Sequence, residues 1–331
     1  MRFALTEDQT ALQQVVRAVM AQQCPPDLLR DVAATGPAAA DGLRSACDEM
    51  GIWGLLVPEE DGGLGLDETA LVAVLAETGA AAAPLPLVGT LAVAPGVLAE
   101  LDRCAQLASG EVLCAATPQL TGPAPSRGAD LLIRGGFGGR GALSVFDLTT
   151  ADRSATEAID PASLLEDVSG ATLLATIDDP DIVRRAWLRG VLGTAAELVG
   201  VARRMLGITV AYVTDRQQFG APIGSFQAVK HHLADAALAT EFAAPLVLSA
   251  AAQVAAGAPG AQREVHAAKA AASDAARTTA RQAIQCHGAM GYTTEYDLQL
   301  YAKRAWADAA SWGTAQWHRE ALATDLGVPA S

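Results

Sequence analysis

The stretch from Asp181 to the C-terminus constrains the fold most. Leu192, Ala195, Ala196, Val199, Ala202, Leu206 and Val210 repeat at helical spacing and make one apolar face. They predict a helix from Asp181 to about Arg216, roughly 50 Å long at a rise of about 1.5 Å per residue. Pro222 and Gly224 break it, and Ser225-Phe226-Gln227 opens a second helix that continues to about Ala256. Gly257-Ala-Pro-Gly260 reads as a turn, Gln262 to His287 as a third long helix, and the segment after Tyr292 as a fourth. Alanine dominates these segments, which favours helix and lets helices approach closely. Long apolar stripes of this kind bury best against each other, so residues 181–331 read as a four-helix bundle.

The rest of the chain divides in two. Residues 1–108 read as a helical domain. Thr6-Glu-Asp-Gln9 is a capping box, Leu12, Val15, Val16, Val19 and Met20 follow it, and Pro25-Pro26 stops the helix. A second helix carries Leu43, Cys47 and Met50 and ends at Gly51. A third runs from near Asp67 to Gly79, and a last helical region ends around Ala108. Residues 109–180 are strand-like at Glu111–Thr117, Asp130–Arg134, Leu143–Leu148 and Ala171–Ile177, with Gly, Pro and Ser between. The fold class is therefore α+β, mostly α: an N-terminal helical domain, a short middle β-domain and a C-terminal bundle.

Charge and composition narrow the function. A net charge of −14 disfavours nucleic acid and anionic membranes as partners. No apolar run reaches the roughly 18 residues of a membrane span. Met1-Arg2-Phe3 leads straight into an amphipathic helix with no signal-peptide pattern. Five scattered cysteines without a CxxC suit buried thiols in a reducing cytoplasm. His231, His232, His266, His287 and His318 lack metal-ligand spacing. There is no Ser-His-Asp arrangement, no P-loop and no dinucleotide fingerprint after a strand.

Two motifs carry chemistry. Asp215-Arg216-Gln217-Gln218-Phe219-Gly220 precedes Pro222-Ile-Gly-Ser-Phe-Gln227. Gln285-Cys-His-Gly288-Ala289-Met-Gly291-Tyr runs through a helix to Ser311-Trp312-Gly313-Thr314. Both resemble acyl-CoA dehydrogenases, FAD enzymes that introduce a double bond between Cα and Cβ of an acyl-CoA thioester. The phrase Gly51-Ile-Trp-Gly-Leu-Leu-Val-Pro-Glu-Glu60 and the following Asp61-Gly-Gly-Leu-Gly-Leu resemble the family's N-terminal domain as well. The resemblance implies that Arg216 reaches across a subunit interface to the FAD pyrophosphate, with Gln218, Phe219 and Gln227 beside it. A guanidinium suits that task because it offers paired donors and stays charged. Gln285, Gly288 and Ala289 would meet the adenosine half, the glycine allowing close backbone approach. Thr314 and Gln316 match family positions near the same FAD.

Against that pattern, two losses stand out. The family's base is a Glu in Tyr-Glu-Gly-Thr, and that position holds Trp312, which has a donor and no proton acceptor. Some branches place the Glu on the first long helix of the bundle, where this chain has Gly190. Of the remaining acids, Glu295 reads as structural, Glu197 as too far along the helix, and Asp308 as facing solvent or a basic neighbour. The family's Thr-Glu-Pro-x-x-Gly-Ser-Asp phrase is replaced by Thr117-Pro-Gln-Leu-Thr-Gly-Pro123 in a shortened middle domain. The resemblance therefore implies the small, base-less subunit of an α2β2 acyl-CoA dehydrogenase, as in actinobacterial steroid side-chain degradation. A larger subunit would supply the catalytic Glu for a bulky acyl-CoA. The alternatives are a homo-oligomeric dehydrogenase with its base moved to Glu197 or Glu295, and a flavin-free structural or regulatory partner.

Overall fold

The computed structural model describes residues 4–126 and 128–328. The N-terminal helices are α1 (Glu7–Gln23), α2 (Pro26–Thr35), α3 (Asp41–Met50), α4 (Glu68–Ala80), α5 (Ala94–Leu98) and α6 (Cys104–Ala108). Both arms of the Thr6/Gln9 capping box form, at 3.2 and 3.0 Å. Asp67 caps α4 through the N–H groups of Thr69 and Ala70. Sequence reading missed α2. Pro25-Pro26 ends α1, but Pro26 then stands at the first position of the next helix, where its missing N–H is no loss.

The middle region forms two small sheets. Strands β1 (Cys114–Thr117), β2 (Ala124–Pro125), β3 (Leu131–Gly135), β4 (Leu143–Asp147), β5 (Asp152–Ala155), β6 (Leu165–Ser169) and β7 (Thr172–Ile177) follow in order. The four expected strands make one sheet, ordered β1-β3-β4-β7, with β1 and β3 parallel in the register Cys114↔Leu131. A second sheet, β2-β6-β5, was not expected, because β5 and β6 are largely polar and exposed and show no apolar alternation. Asp160, between β5 and β6, forms a buried ion pair with Arg304 and ties this region to the bundle.

Next comes α7 (Pro180–Asp215), started by Asp179 and Pro180. The two-residue strands β8 (Gln217–Gln218) and β9 (Ala221–Pro222) form a hairpin leading into α8 (Gln227–Ala255) and α9 (Ala261–His287). The fourth segment is broken into α10 (Leu298–Ala310) and α11 (Ala315–Asp325) by the 311–314 turn. Helix α7 is buried on most sides between α4, α8, α9 and α10. Gly200 makes one crossing possible: a Cβ there would lie 1.9 Å from the Ala76 carbonyl oxygen of α4.

Helix α8 departs from the composition-based reading. By length and hydropathy it could cross a bilayer, although only 33% of its apolar window is buried. It lies against α7 and α9, and Leu238, Phe242 and Leu246 form an exposed stripe on it at i, i+4, i+8.

Candidate functional site

At one end of the bundle, Trp312 and Gly190, the two positions where a base was expected, meet. Trp312 sits in the turn between α10 and α11 with φ +55°, and it is buried. Its six-membered ring lies over Gly190 of α7: a Cβ built on Gly190 would come within 2.4 Å of Trp312 Cζ3 and 2.5 Å of Cη2. Gly190 is thus the seat of the indole. Trp187 packs beside it, with ring centroids 5.7 Å apart, and Phe137 and Trp317 extend the aromatic cluster.

The Trp312 turn is held from beneath by buried polar groups. Lys269 of α9, fully buried, donates to the Ser273 hydroxyl at 3.0 Å and to the carbonyls of Asp308, Ala309 and Gly313 at 3.3, 3.4 and 3.1 Å. Burial pulls its ammonium down to about 7, partly opposed by Asp308. His318 Nε2 lies 2.9 Å from the Trp312 carbonyl, which can only accept, so Nε2 carries a proton. Burial and the nearby Lys269 charge hold His318 down to about 3, so the ring is neutral and its Nδ1 is bare. His266 Nδ1, 2.7 Å away, must then be the donor. The chain of protons is set throughout: His266 to His318 to the Trp312 carbonyl.

Beside Trp312 lies a cavity of about 50 Å³, lined by Val88, Gly89, Ala116, Thr194, Glu197 and Asp308 among others. Glu197 and Asp308 are both buried. This corrects the expectation that Asp308 could face solvent, and it brings Glu197 to the same cavity as Trp312. The cause is helix geometry: two turns along α7 from Gly190 is still the face toward α10. Their charges, with that of Asp160, raise the pKa of the buried Arg304 guanidinium against the opposing pull of burial. Glu295 is exposed and lines none of this.

At the opposite end of the bundle, the β8–β9 hairpin presents Arg216, Gln218, Phe219 and Gln227, all exposed. The hairpin turns through Phe219 (φ +54°) and Gly220 (φ +78°), a conformation that phenylalanine rarely adopts. Phe219 is nonetheless 95% exposed, and its edge-on contact with the likewise exposed Phe226, ring centroids 6.2 Å apart, repays little of the strain. Arg216 makes no ion pair among the described residues. The end of α9 lies alongside: Tyr212 of α7 stacks on His287 at 4.2 Å, and Tyr296 packs on both. Gln285, Gly288 and Ala289 are exposed there. Gly288 has φ +60° and ψ −134°, and a Cβ on it would meet nothing within 4 Å. Its surroundings are open to the outside, as a backbone that meets a group from another molecule must be.

Thr314 and Gln316 do not join that set. Thr314 caps α11 through the Trp317 N–H, and Gln316 bonds Glu320, both at the Trp312 end. His266 and His287 mark the two ends and stand roughly 30 Å apart along α9. The nine residues expected to meet FAD therefore divide between the two ends of the bundle. The residues fall into two groups that face different places.

Sequence reading missed the Lys269–His266–His318 support. Its one signal was a lysine on the buried face of α9 with Val265, Ala272 and Ala276 at helical spacing. A cation there needs acceptors, and these come from a segment some 40 residues on.

Similarity to known proteins agrees with this architecture. Residues 6–103 match the model of the acyl-CoA dehydrogenase N-terminal domain and residues 184–327 that of the C-terminal domain. The chain is 32% identical over 310 residues to acyl-CoA dehydrogenase IpdE2 of Mycobacterium tuberculosis, covering 92% of each. The chain belongs to the acyl-CoA dehydrogenase family. These are oxidoreductases whose members bind FAD. IpdE2 of Mycolicibacterium smegmatis is 30% identical, over 92% of this chain and 94% of its own. Among solved structures, a variant of the Tcur3481–Tcur3483 steroid ACAD superposes with a TM-score of 0.86 at 24% identity, covering 97% of this chain and 98% of that one. The ChsE4–ChsE5 complex from Mycobacterium tuberculosis does so at 0.85 and 23%, with full coverage of both chains.

Proposed function

We propose that this chain is the base-less subunit of a heteromeric FAD-dependent acyl-CoA dehydrogenase, acting on a bulky, steroid-derived acyl-CoA. The observation that carries the reading is Trp312 lying on Gly190. One site would hold a carboxylate in either of two ways, and here an indole and a bare Cα close it together. A larger partner subunit supplies the glutamate that removes the α-proton. The same partner holds the flavin ring and the thioester.

This chain lends its hairpin end. Arg216, free and charged, pairs with the FAD pyrophosphate held by the partner. Phe219 lies against the adenine half, which is where the strain of its backbone is repaid. Gln218, Gln227 and Gln285 donate and accept around it, and Gly288 with Ala289 offers open backbone. When bound, FAD supplies the acceptor for the hydride from Cβ. Thr314 and Gln316 serve the other end of the subunit. The exposed Leu238–Phe242–Leu246 stripe of α8 supports a partnered bundle. So does the fold shared with a steroid ACAD and with a two-chain complex.

A second reading is favoured by Glu197 lining the cavity beside Trp312. In it the chain is self-sufficient and Glu197 is the base. Flavin content and mass of the chain alone, and co-expressed with a full-length dehydrogenase chain, separate the two. The first reading expects a colourless chain, a yellow complex with one FAD per heterodimer, and loss of that FAD in Arg216→Ala. A yellow chain reduced by acyl-CoA alone, with reduction abolished in Glu197→Gln, establishes the second.

A further inference from the structure

A second pocket lies part-way along α10, between the two ends described above. It holds about 350 Å³ between α2, the loop after α4, the β5–β6 turn and α10. Ala33 and Ala34 of α2, Ala82, and Ala162 beside Asp160 leave it hollow, and Leu29 and Leu300 add apolar wall. Its volume is in the range that takes a small organic ligand.

Its polar groups are lopsided. Arg30, Lys303 and Arg304 line it against one carboxylate, Asp160. That carboxylate is already used: Oδ1 accepts the Ala162 N–H at 3.0 Å and Oδ2 accepts from Arg304 Nε. Arg30 is likewise taken by Asp27 and Asp297. Lys303 makes no ion pair among the described residues. Arg304 donates Nη1 to the Ala83 carbonyl, and its Nη2, buried with the rest of a side chain only 2% exposed, has no hydrogen-bond partner. Nη2 shares the guanidinium edge that carries Nε, which is turned to Asp160. A buried guanidinium N–H without an acceptor is costly unless something supplies one.

We propose that this pocket binds a monocarboxylate with an apolar body, its head between Lys303 and the Arg304 edge and its body along the alanines. A free acid of the kind released when an acyl-CoA thioester is hydrolysed has this chemistry. The site does not depend on the heteromeric reading, since every residue comes from this chain.

Octanoate and octanol, titrated calorimetrically into the full-length protein, test it. Octanoate is expected to bind one per chain, about ten-fold or more tighter than octanol, because a charge-assisted hydrogen bond is worth that much. Lys303→Glu removes that preference, and Ala34→Phe abolishes binding of both. Ala34 is exposed and Lys303 half-buried, and an unchanged melting temperature checks that the variants keep the fold. No saturable binding at millimolar octanoate overturns the proposal. So does equal binding of octanol, or octanoate binding that both variants leave intact.

Discussion

Replacing Gly190 by alanine has a predicted sign that depends on Trp312. In the native chain the added methyl comes within 2.4–2.7 Å of three ring carbons of Trp312. The ring cannot swing aside, since Trp187 packs on it and its carbonyl is held by His318. Overpacking of this kind costs about 1–3 kcal/mol. It is opposed by about 1 kcal/mol of helix propensity gained on leaving glycine in mid-α7. The net effect is a loss of up to about 2 kcal/mol. Trp312→Ala alone empties the site and costs about 3–5 kcal/mol. In that background the clash with the ring carbons vanishes, and the same substitution is expected to stabilise by about 1 kcal/mol. The double-mutant cycle should therefore show a coupling of about 1–3 kcal/mol with a change of sign. Denaturant midpoints of the four proteins measure it. Additive effects would refute the placement of the indole on Gly190, and with it the proposal that the two close one site.

Other consequences are equally open to measurement. Phe219→Gly should stabilise the isolated chain by about 0.5–1 kcal/mol, the relief of left-handed strain less the entropy of glycine. The same change should weaken FAD retention in the complex; a variant that retains flavin normally would remove Phe219 from the site. Lys269, lowered to about 7 when folded, binds fewer protons than in the unfolded chain between there and its ordinary 10.5. Stability should therefore rise with pH across that window, and Lys269→Met should flatten the slope in thermal melts. His318, held at about 3 against an ordinary 6.5, has the same sign one window lower. Stability should fall as pH drops from about 6.5 toward 3, less so in His318→Gln. Asp160→Ala strands the buried Arg304 charge and should cost about 3–5 kcal/mol in chemical unfolding.

Much of the fold is legible in the sequence because it is locally written. The Thr6 capping box, the Gly51 stop, the Asp67 cap and the apolar period of α7 each lie within a few residues of what they control. The four apolar strands are legible for the same reason. The polar strands β5 and β6 are not, since pairing alone makes them strands. Helix α2 was hidden by a proline pair that serves as both stop and start. The site divides in the same way. Arg216, Phe219 and the Gln285 turn are recognisable as motifs, yet their openness and the left-handed turn at Phe219 are visible only in the fold.

By itself, the sequence determined residue chemistry: an indole and a bare Cα at the two positions where a carboxylate was expected, and an arginine in a phrase that resembles a phosphate-binding one. The tertiary structure decided which of these meet. It put Trp312 on Gly190, more than a hundred residues away, and brought Glu197 and Asp308 to the same cavity. It set Lys269 and the two histidines under that turn. It also parted Thr314 and Gln316 from Arg216 by the length of a helix. Such relations depend on how rigid helices cross, and spacing along the chain does not encode the crossing.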